Sequence, residues 1–303
     1  MVDAAFLWVP ATLVASAGQV ARNTMQRRLT EAIGTVGAAQ VRFLYGFPFA
    51  LLFLAIVLAA GGEALPGPAP GFGAYLLTGS VTQILATVLM LAAMRERSFS
   101  VVTALIKTEA IQIALFGFLA LGDRLPPLAI AAILVATSGV IAMSWSDRTA
   151  DDLARSGLRP IGLGIGAGAL FALSAVGLRG AILALDGGSF VLRATTTLCW
   201  SLGLQTAILL GWLVLFDRPA FLGSLRVWRS SLVAGFFGAG ASQFWFIGFA
   251  LTAAANVRTL ALVEVLMAQA VSRRLLAQET SRRELAGMAL IVLGVTMLLA
   301  AHD

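Results

Sequence analysis

The sequence predicts an all-α membrane protein with ten transmembrane helices, arranged as two inverted five-helix repeats. Three observations lead to this fold class. Of the 303 residues, 59% are hydrophobic and only 12% are charged, about half the charged fraction of a typical soluble domain. The apolar residues form blocks of roughly twenty, the length at which a helix crosses about 30 Å of hydrocarbon. The two halves of the chain also resemble each other.

Ten apolar blocks lie between clusters of turn-forming and charged residues. The predicted spans are 4–25, 37–60, 71–94, 99–121, 126–145, 161–184, 190–216, 231–253, 256–276 and 284–301. The connection "GGEALPGPAPG" is rich in glycine and proline and cannot continue a helix. The start of the chain, "MVDAAFLWVP", has an acidic residue and no basic one, so we interpret the first block as a retained span rather than a cleavable signal.

The arginines predict the orientation of these spans. One side of the membrane has few arginines: Arg124, together with Arg193 and Arg258 at helix starts. The loops of the other side, after spans 1, 3, 5, 7 and 9, contain Arg27, Arg28, Arg95, Arg97, Arg148, Arg155, Arg159, Arg218, Arg226, Arg229, Arg273, Arg274, Arg282 and Arg283. Short arginine-rich loops stay in the cytoplasm, so we expect both termini on the periplasmic side of a bacterial inner membrane. The same bias explains the net charge of +6 without a nucleic-acid partner.

A shift of 155 residues aligns spans 4 and 5 with spans 9 and 10. It superposes Glu109 on Glu264 and Gly139 on Gly294, whereas Lys107 falls on Leu262. Glutamate is rare inside a span, which makes the glutamate match the informative one. Because five spans are an odd number, the second repeat must enter the membrane from the opposite side. We therefore predict one integrated transmembrane domain with repeats at 1–150 and 151–303, a frequent architecture of transporters.

Lys107 and Glu109 lie near the middle of the apolar stretch "VVTALIKTEAIQIALFGFLALG". An ionisable group at the centre of a span costs about 2.5–3.5 kcal/mol, so it normally faces a cavity or a partner. The two residues are two positions apart and project from different sides of a helix, so they cannot pair directly. Glu264 is one candidate partner for Lys107. Two interpretations stay open: contact with the substrate or with a transported proton, and a buried ion pair that fixes the register of spans 4 and 9.

Polar residues deep in other spans are further candidates for lining a pathway. Gln83, Gln112 and Gln243 are the deepest amides, and Trp245 follows Gln243 closely enough to help hold an apolar side chain. The alternative is structural, since amides hydrogen-bond between helices and tryptophan packs in lipid. The chain has one cysteine and one histidine, so we expect neither a disulfide nor a metal site built on these residues, and no cofactor. No nucleotide-binding loop accompanies the glycine-rich stretches.

The segments "GDRLPPLAIAAILVATSGV" and "QETSRRELAGMALIVLGV", together with the five-plus-five arrangement, resemble the drug/metabolite transporter superfamily. The chain is most similar to the ten-span EamA-type branch, which includes bacterial exporters of amino acids and other metabolites. The sequence departs from the family where members often carry a proline directly after the mid-helix glutamates. Here Ala110 and Val265 occupy those positions, so a proline kink is not expected.

The residues and the resemblance together predict a secondary transporter, not an enzyme. We expect export of a small amphipathic metabolite, with amino acids, including aromatic and other hydrophobic ones, as the expected substrates. Transport would proceed by alternating access around a midplane cavity between the repeats, in a monomer or a homodimer surrounded by lipid. The candidate substrate-binding or cavity-lining residues are Lys107, Glu109, Glu264, Gln83, Gln112, Gln243 and Trp245.

Two alternative functions remain open at this point. A carrier of nucleotide sugars or sugar phosphates in the same superfamily would favour more basic residues in the cavity than Lys107 alone. A membrane-embedded enzyme would need a clustered catalytic set, and the only adjacent acidic pair is in "ADD" at 150–152.

Overall fold

A computed structural model of the chain describes residues 6–96, 99–144, 159–267, 269 and 281–302. Its elements are almost all helices. In chain order these are α1 (Trp8–Leu44), α2 (Phe47–Gly61), α3 (Phe72–Glu96), α4 (Phe99–Lys107), α5 (Glu109–Leu121), α6 (Pro127–Ser144), α7 (Arg159–Leu183), α8 (Phe190–Phe216), α9 (Arg218–Arg226), α10 (Trp228–Leu251), α11 (Ala254–Leu260) and α12 (Arg282–Ala300). Residues 263–267 are also helical.

Within the described residues, seven helical segments are long and apolar enough to cross a membrane. They correspond to predicted spans 2, 3, 5, 6, 7, 8 and 10, and they support the predicted class of an all-α, multi-pass membrane protein. The segments are Ala39–Gly61, Phe72–Met94, Pro127–Ser144, Ile161–Leu183, Phe190–Phe216, Trp228–Leu251 and Arg282–Ala300. The count of ten spans stays a prediction.

The other three predicted spans differ from a simple crossing helix. Predicted span 1 forms the beginning of α1, which continues to Leu44 through a kink at Gly34. Gly34 has a φ of 74°, a left-handed conformation that glycine adopts without steric cost. Predicted span 4 is interrupted near its middle, at Thr108, and predicted span 9 is interrupted closer to its start, at 261–262. Span 9 is described only to residue 267 and at 269, so its end, like most of the predicted central loop at 146–160, lies outside the described residues.

Two connections contain regular structure that the hydropathy pattern does not predict. α9 lies between spans 7 and 8 and begins where the Asp217 carboxylate accepts a hydrogen bond from the Ala220 backbone N–H. The loops after α2 and α7 form a short antiparallel ladder, in which β1 (Gly67–Pro68) pairs with β2 (Leu185–Asp186). The ladder joins the loop after α2 to the loop after α7 by backbone hydrogen bonds.

The chain divides into two compact units. The first comprises Met1–Ile84 and Gly177–Thr252, and one of its buried clusters joins Phe72 and Leu76 of α3 to residues around the end of α7. The second comprises Leu85–Val176 and Ala253–Asp303. Each unit takes helices from both halves of the sequence, so the units are not the predicted repeats, whose bounds stay a prediction.

The second unit contains a tightly packed pair of helices, α6 and α12. A Cβ atom added to Gly139 would lie 2.6 Å from the Gly287 carbonyl oxygen, and one added to Gly294 would lie 2.6 Å from the Ala136 nitrogen. Such distances exclude any side chain and allow the two backbones to approach closely. α12 begins with a capping box, in which Ser281 and Glu284 each accept a hydrogen bond from the backbone of the other.

Leu262 packs into the core that α6 and α12 form. It is 1% exposed and lies in one cluster with Ala136, Val140 and Ile291. This apolar environment explains why the position that aligns with Lys107 carries a leucine, because a lysine there would place an ammonium group among apolar side chains. Leu262 thereby packs the interruption of predicted span 9 against the α6–α12 helix pair.

Candidate functional site

The first interruption lies between α4 and α5. α4 ends at Lys107, α5 begins at Glu109, and the Thr108 hydroxyl between them donates to the Leu105 carbonyl oxygen at 2.7 Å. Two backbone hydrogen bonds here run from residue i to residue i−3 rather than to residue i−4. The Thr108 N–H donates to the Leu105 carbonyl oxygen, and the Ile111 N–H donates to the Thr108 carbonyl oxygen. A threonine that bonds back to the preceding turn bends a helix, so this kink needs no proline.

The second interruption has the same character. After α11 the chain turns at Ala261 and Leu262, and helical structure resumes at residue 263. Three backbone hydrogen bonds of the tighter 3₁₀ type mark the turn. They run from the N–H groups of Leu262, Glu264 and Val265 to the carbonyl oxygens of Thr259, Ala261 and Leu262, at 2.9–3.1 Å. Under the 155-residue shift, Thr108 corresponds to Val263, directly after this turn. A tight turn inside a helix often marks a hinge or a site of strain.

Two ion pairs connect the interruptions, and both lie within the second unit. The Lys107 ammonium donates a hydrogen bond to the Glu264 carboxylate. Arg258 Nη1 lies 3.7 Å from Glu109 Oε1. Each interruption therefore contributes one cation and one carboxylate, and each carboxylate is paired with the cation of the other interruption. We call these four residues the charge cluster.

The charge cluster is shielded from solvent. Lys107, Glu109 and Glu264 are 5%, 4% and 7% exposed, and the Arg258 side chain is 11% exposed. Isolated charges would be very costly here, and the removal of one partner from a buried pair typically costs about 3–5 kcal/mol. The four charges sum to zero. The cluster is therefore stable only while every charge keeps an opposite neighbour.

The helix ends add to this balance. Lys107 and Arg258 lie in the last turns of α4 and α11, and Glu109 lies in the first turn of α5. Cations at helix C-termini and anions at N-termini interact favourably with the helix dipole, by roughly 0.3–1 kcal/mol each. The interruptions thus create the helix ends that help to hold the charges, and the charges in turn stabilise the interruptions.

Three further polar residues of the second unit, Gln112, Asn256 and His302, lie on or contact the helices that carry the charge cluster. The Gln112 amide nitrogen donates to the Thr108 hydroxyl at 3.4 Å, and its side-chain oxygen has no hydrogen-bond partner among the described residues. Asn256 on α11 lies 2.9 Å from the Nε2 atom of His302, whose Nδ1 atom is 3.0 Å from the Leu298 carbonyl oxygen. Because a carbonyl oxygen can only accept, Nδ1 is the donor in the contact with Leu298.

The prediction that Lys107 and Glu109 do not pair with each other, and that Glu264 is a partner for Lys107, is confirmed. The role of Arg258 was missed. The predicted span started at 256, which put Arg258 at a helix end, whereas α11 starts at Ala254 and carries Arg258 in its second turn. The signal was available, since Glu109 also needed a cation and Arg258 lies within an apolar stretch.

The remaining predicted residues, Gln83, Gln243 and Trp245, lie in the first unit and are hydrogen-bonded within it. Gln205, which was not among the predicted residues, donates to the Gln83 side-chain oxygen at 2.6 Å. Gln243 donates to the Thr195 hydroxyl at 2.7 Å, and Trp245 donates to the Gln19 side-chain oxygen at 3.2 Å. Gln243 and Trp245 thus hydrogen-bond to different helices, α8 and α1. Their role in lining a cavity stays a prediction.

Comparisons with known proteins point to a transporter family. Residues 6–145, which include Lys107 and Glu109, match the model of the EamA-like transporter family. A comparison with curated proteins finds no match. One solved structure, described only as "Crystal structure of protein", covers 98% of this chain and 98% of its own, with 14% identity and a TM-score of 0.67. At this identity the likeness shows the fold alone. The first half of the chain is therefore similar to the EamA-like transporter family, and the whole chain shares the fold of this solved structure.

Proposed function

We propose that this protein is a secondary transporter that exports a small amphipathic metabolite, with amino acids as the substrate class, by alternating access. The observation that carries the proposal is the charge cluster, in which three buried ionisable side chains and the largely shielded Arg258 lie at two interruptions of predicted membrane spans. Discontinuous helices near the membrane midplane commonly form the substrate and ion sites of secondary transporters. The family match of residues 6–145 supports the same class of function.

The balance of charges favours a substrate without net charge. Two cations and two carboxylates already neutralise each other, so an amino acid, which carries one charge of each sign, can enter without leaving an unbalanced charge. A sugar phosphate or nucleotide sugar would add one or two negative charges to a neutral cluster. The carrier of anionic sugars is therefore the less favoured alternative.

Within the proposed site, Glu109 and Arg258 contact the substrate. Lys107, Glu264 and Gln112 line the same region, and the Lys107–Glu264 pair holds the two interruptions together. The two interpretations thus apply to different pairs of the charge cluster. The Lys107–Glu264 pair fixes the register of the two spans, and the Arg258–Glu109 pair forms the substrate site. The protein acts as a monomer or homodimer in lipid and needs no cofactor under this proposal.

Counterflow in proteoliposomes tests the proposed activity. Purified protein is reconstituted, the vesicles are loaded with an unlabelled solute, and uptake of labelled amino acids, nucleosides and sugar phosphates is compared. We expect labelled hydrophobic and aromatic amino acids to accumulate and sugar phosphates to remain outside. Accumulation of sugar phosphates without amino acids would contradict the proposal. An imposed pH gradient then distinguishes proton antiport, where flux changes, from exchange or facilitated diffusion, where it does not.

We also propose that the protein resides in the bacterial inner membrane with both termini in the periplasm, on the basis of the arginine-rich loops. Fusions of alkaline phosphatase and of green fluorescent protein to the C-terminus provide a matched pair of reporters. The phosphatase fusion is expected to be active and the fluorescent fusion dark. A bright fluorescent fusion with an inactive phosphatase would place the C-terminus in the cytoplasm.

A further inference from the structure

The two ion pairs of the charge cluster have different geometries. Lys107 and Glu264 are in direct hydrogen-bond contact, whereas the nearest Arg258 and Glu109 atoms are 3.7 Å apart, beyond the range of a hydrogen bond. Arg258 is also the most exposed of the four, at 11% of its side chain. Separation of Arg258 from Glu109 therefore breaks no direct hydrogen bond between them, whereas separation of Lys107 from Glu264 does.

We propose that the Arg258–Glu109 pair is the recognition site for a zwitterion, while the Lys107–Glu264 pair stays closed. The Arg258 guanidinium binds the carboxylate of an α-amino acid, and the Glu109 carboxylate binds its ammonium group. This assignment rests on the proposed transport function and specifies which side chains read the two charged groups of the substrate. The assignment also predicts that recognition does not depend on a charge in the side chain of the transported amino acid.

The chemistry of the two side chains fits these roles. A guanidinium presents several N–H donors in a planar fork that matches both oxygens of a carboxylate, and this match is lost with a lysine ammonium. Glu109 is an acceptor that suits an ammonium group. Gln112 lies three residues after Glu109, on the same face of α5, and its side-chain oxygen, which has no partner among the described residues, offers the ammonium a second acceptor.

Charge balance excludes the neighbouring classes of ligand. When the Arg258–Glu109 pair separates, each member loses the opposite charge that lies beside it, in a place that is shielded from water. A simple carboxylate compensates Arg258 but leaves Glu109 unbalanced, and a simple amine does the reverse. A molecule that carries both groups, as an α-amino acid does on one carbon, compensates both side chains at once.

The test is a competition experiment with full-length protein in proteoliposomes. Uptake of labelled phenylalanine is measured against unlabelled phenylalanine, phenylalanine amide, which lacks the carboxylate, and 3-phenylpropionate, which lacks the ammonium. For the wild type we expect phenylalanine to compete about 100-fold better than either analogue, because a site that is built to bind a group rejects ligands without it. The variants are R258K, E109Q, R258Q and the double variant E109Q/R258Q, which leaves no unpaired charge and so guards against misfolding.

The proposal predicts a specific pattern of lost preferences. R258Q loses the preference for phenylalanine over its amide but keeps the preference over 3-phenylpropionate, E109Q shows the reverse, and the double variant loses both. R258K keeps only about a tenth to a hundredth of the wild-type preference over the amide, because its fork geometry disappears. An E109Q/R258Q variant that takes up phenylalanine with both preferences intact would overturn the inference and leave the transport function standing. A wild type that takes up no phenylalanine would overturn the proposed amino-acid export, and the inference with it.

Discussion

Lys107→Glu is expected to destabilise the folded protein strongly, and among the single substitutions considered for this chain only Glu264→Lys should match it. The change places a second carboxylate beside Glu264, in a position where both side chains are less than one-tenth exposed. Loss of one partner from a buried ion pair already costs about 3–5 kcal/mol, and a like charge adds repulsion. For a domain of this size we expect the unfolding temperature in detergent to fall by roughly 10 °C or more.

A charge-reversed pair separates this effect from a general intolerance of mutation. Glu264→Lys alone should destabilise as strongly as Lys107→Glu, whereas the double variant K107E/E264K should recover most of the lost stability. Arg159→Glu is a matched control, because Arg159 also pairs with a glutamate, Glu96, at 3.6 Å but is 81% exposed. An exposed pair contributes less than about 1 kcal/mol, so the control should unfold near the wild-type temperature. A double variant as unstable as the single ones would show that Lys107 and Glu264 do not stabilise each other.

Arg258→Gln is expected to reduce transport by about 100-fold or more, which is the loss that follows when one partner of a largely desolvated charge pair is removed. Its effect on stability should be smaller than that of Lys107→Glu, because the Arg258–Glu109 pair is longer and partly exposed. Glu109→Gln should reduce transport to a similar extent. Initial rates are measured in proteoliposomes and normalised to folded protein. Near-wild-type rates in both variants would remove this pair from the substrate site.

The fold class and the positions of most spans followed from hydropathy. The apolar blocks around α3, α7 and α8 are long and uninterrupted, and a helix is the conformation that satisfies the backbone within a bilayer. The interruptions at Thr108 and at 261–262 could not be predicted in the same way. Neither "IKTEA" nor "TLALVE" contains proline or glycine, and hydropathy does not report a change from four-residue to three-residue hydrogen bonds.

Three residues of the charge cluster, Lys107, Glu109 and Glu264, were predicted from the sequence, and Arg258 was missed for a related reason. A charge in an apolar span needs a partner, which identified Lys107 and Glu264. The alignment of the two halves then placed Lys107 on Leu262 and suggested that the second half had no corresponding cation. Arg258 fills that role from four residues earlier in the chain, because a long side chain reaches the same place from a different backbone position. The alignment of the two halves therefore located Glu109 and Glu264 but did not identify the cations that pair with them.

The central claim is that one pair of the charge cluster holds the interruptions together and the other pair reads the substrate. Transport by the two charge-swapped double variants, K107E/E264K and E109R/R258E, tests it most directly, because both swaps preserve the net charge. The account predicts that K107E/E264K transports phenylalanine within about tenfold of the wild-type rate, whereas E109R/R258E folds but stays at least about 100-fold below it, since a reversed site misplaces the bound zwitterion. Equal rates for the two swapped variants, whether both high or both low, would contradict the division of roles.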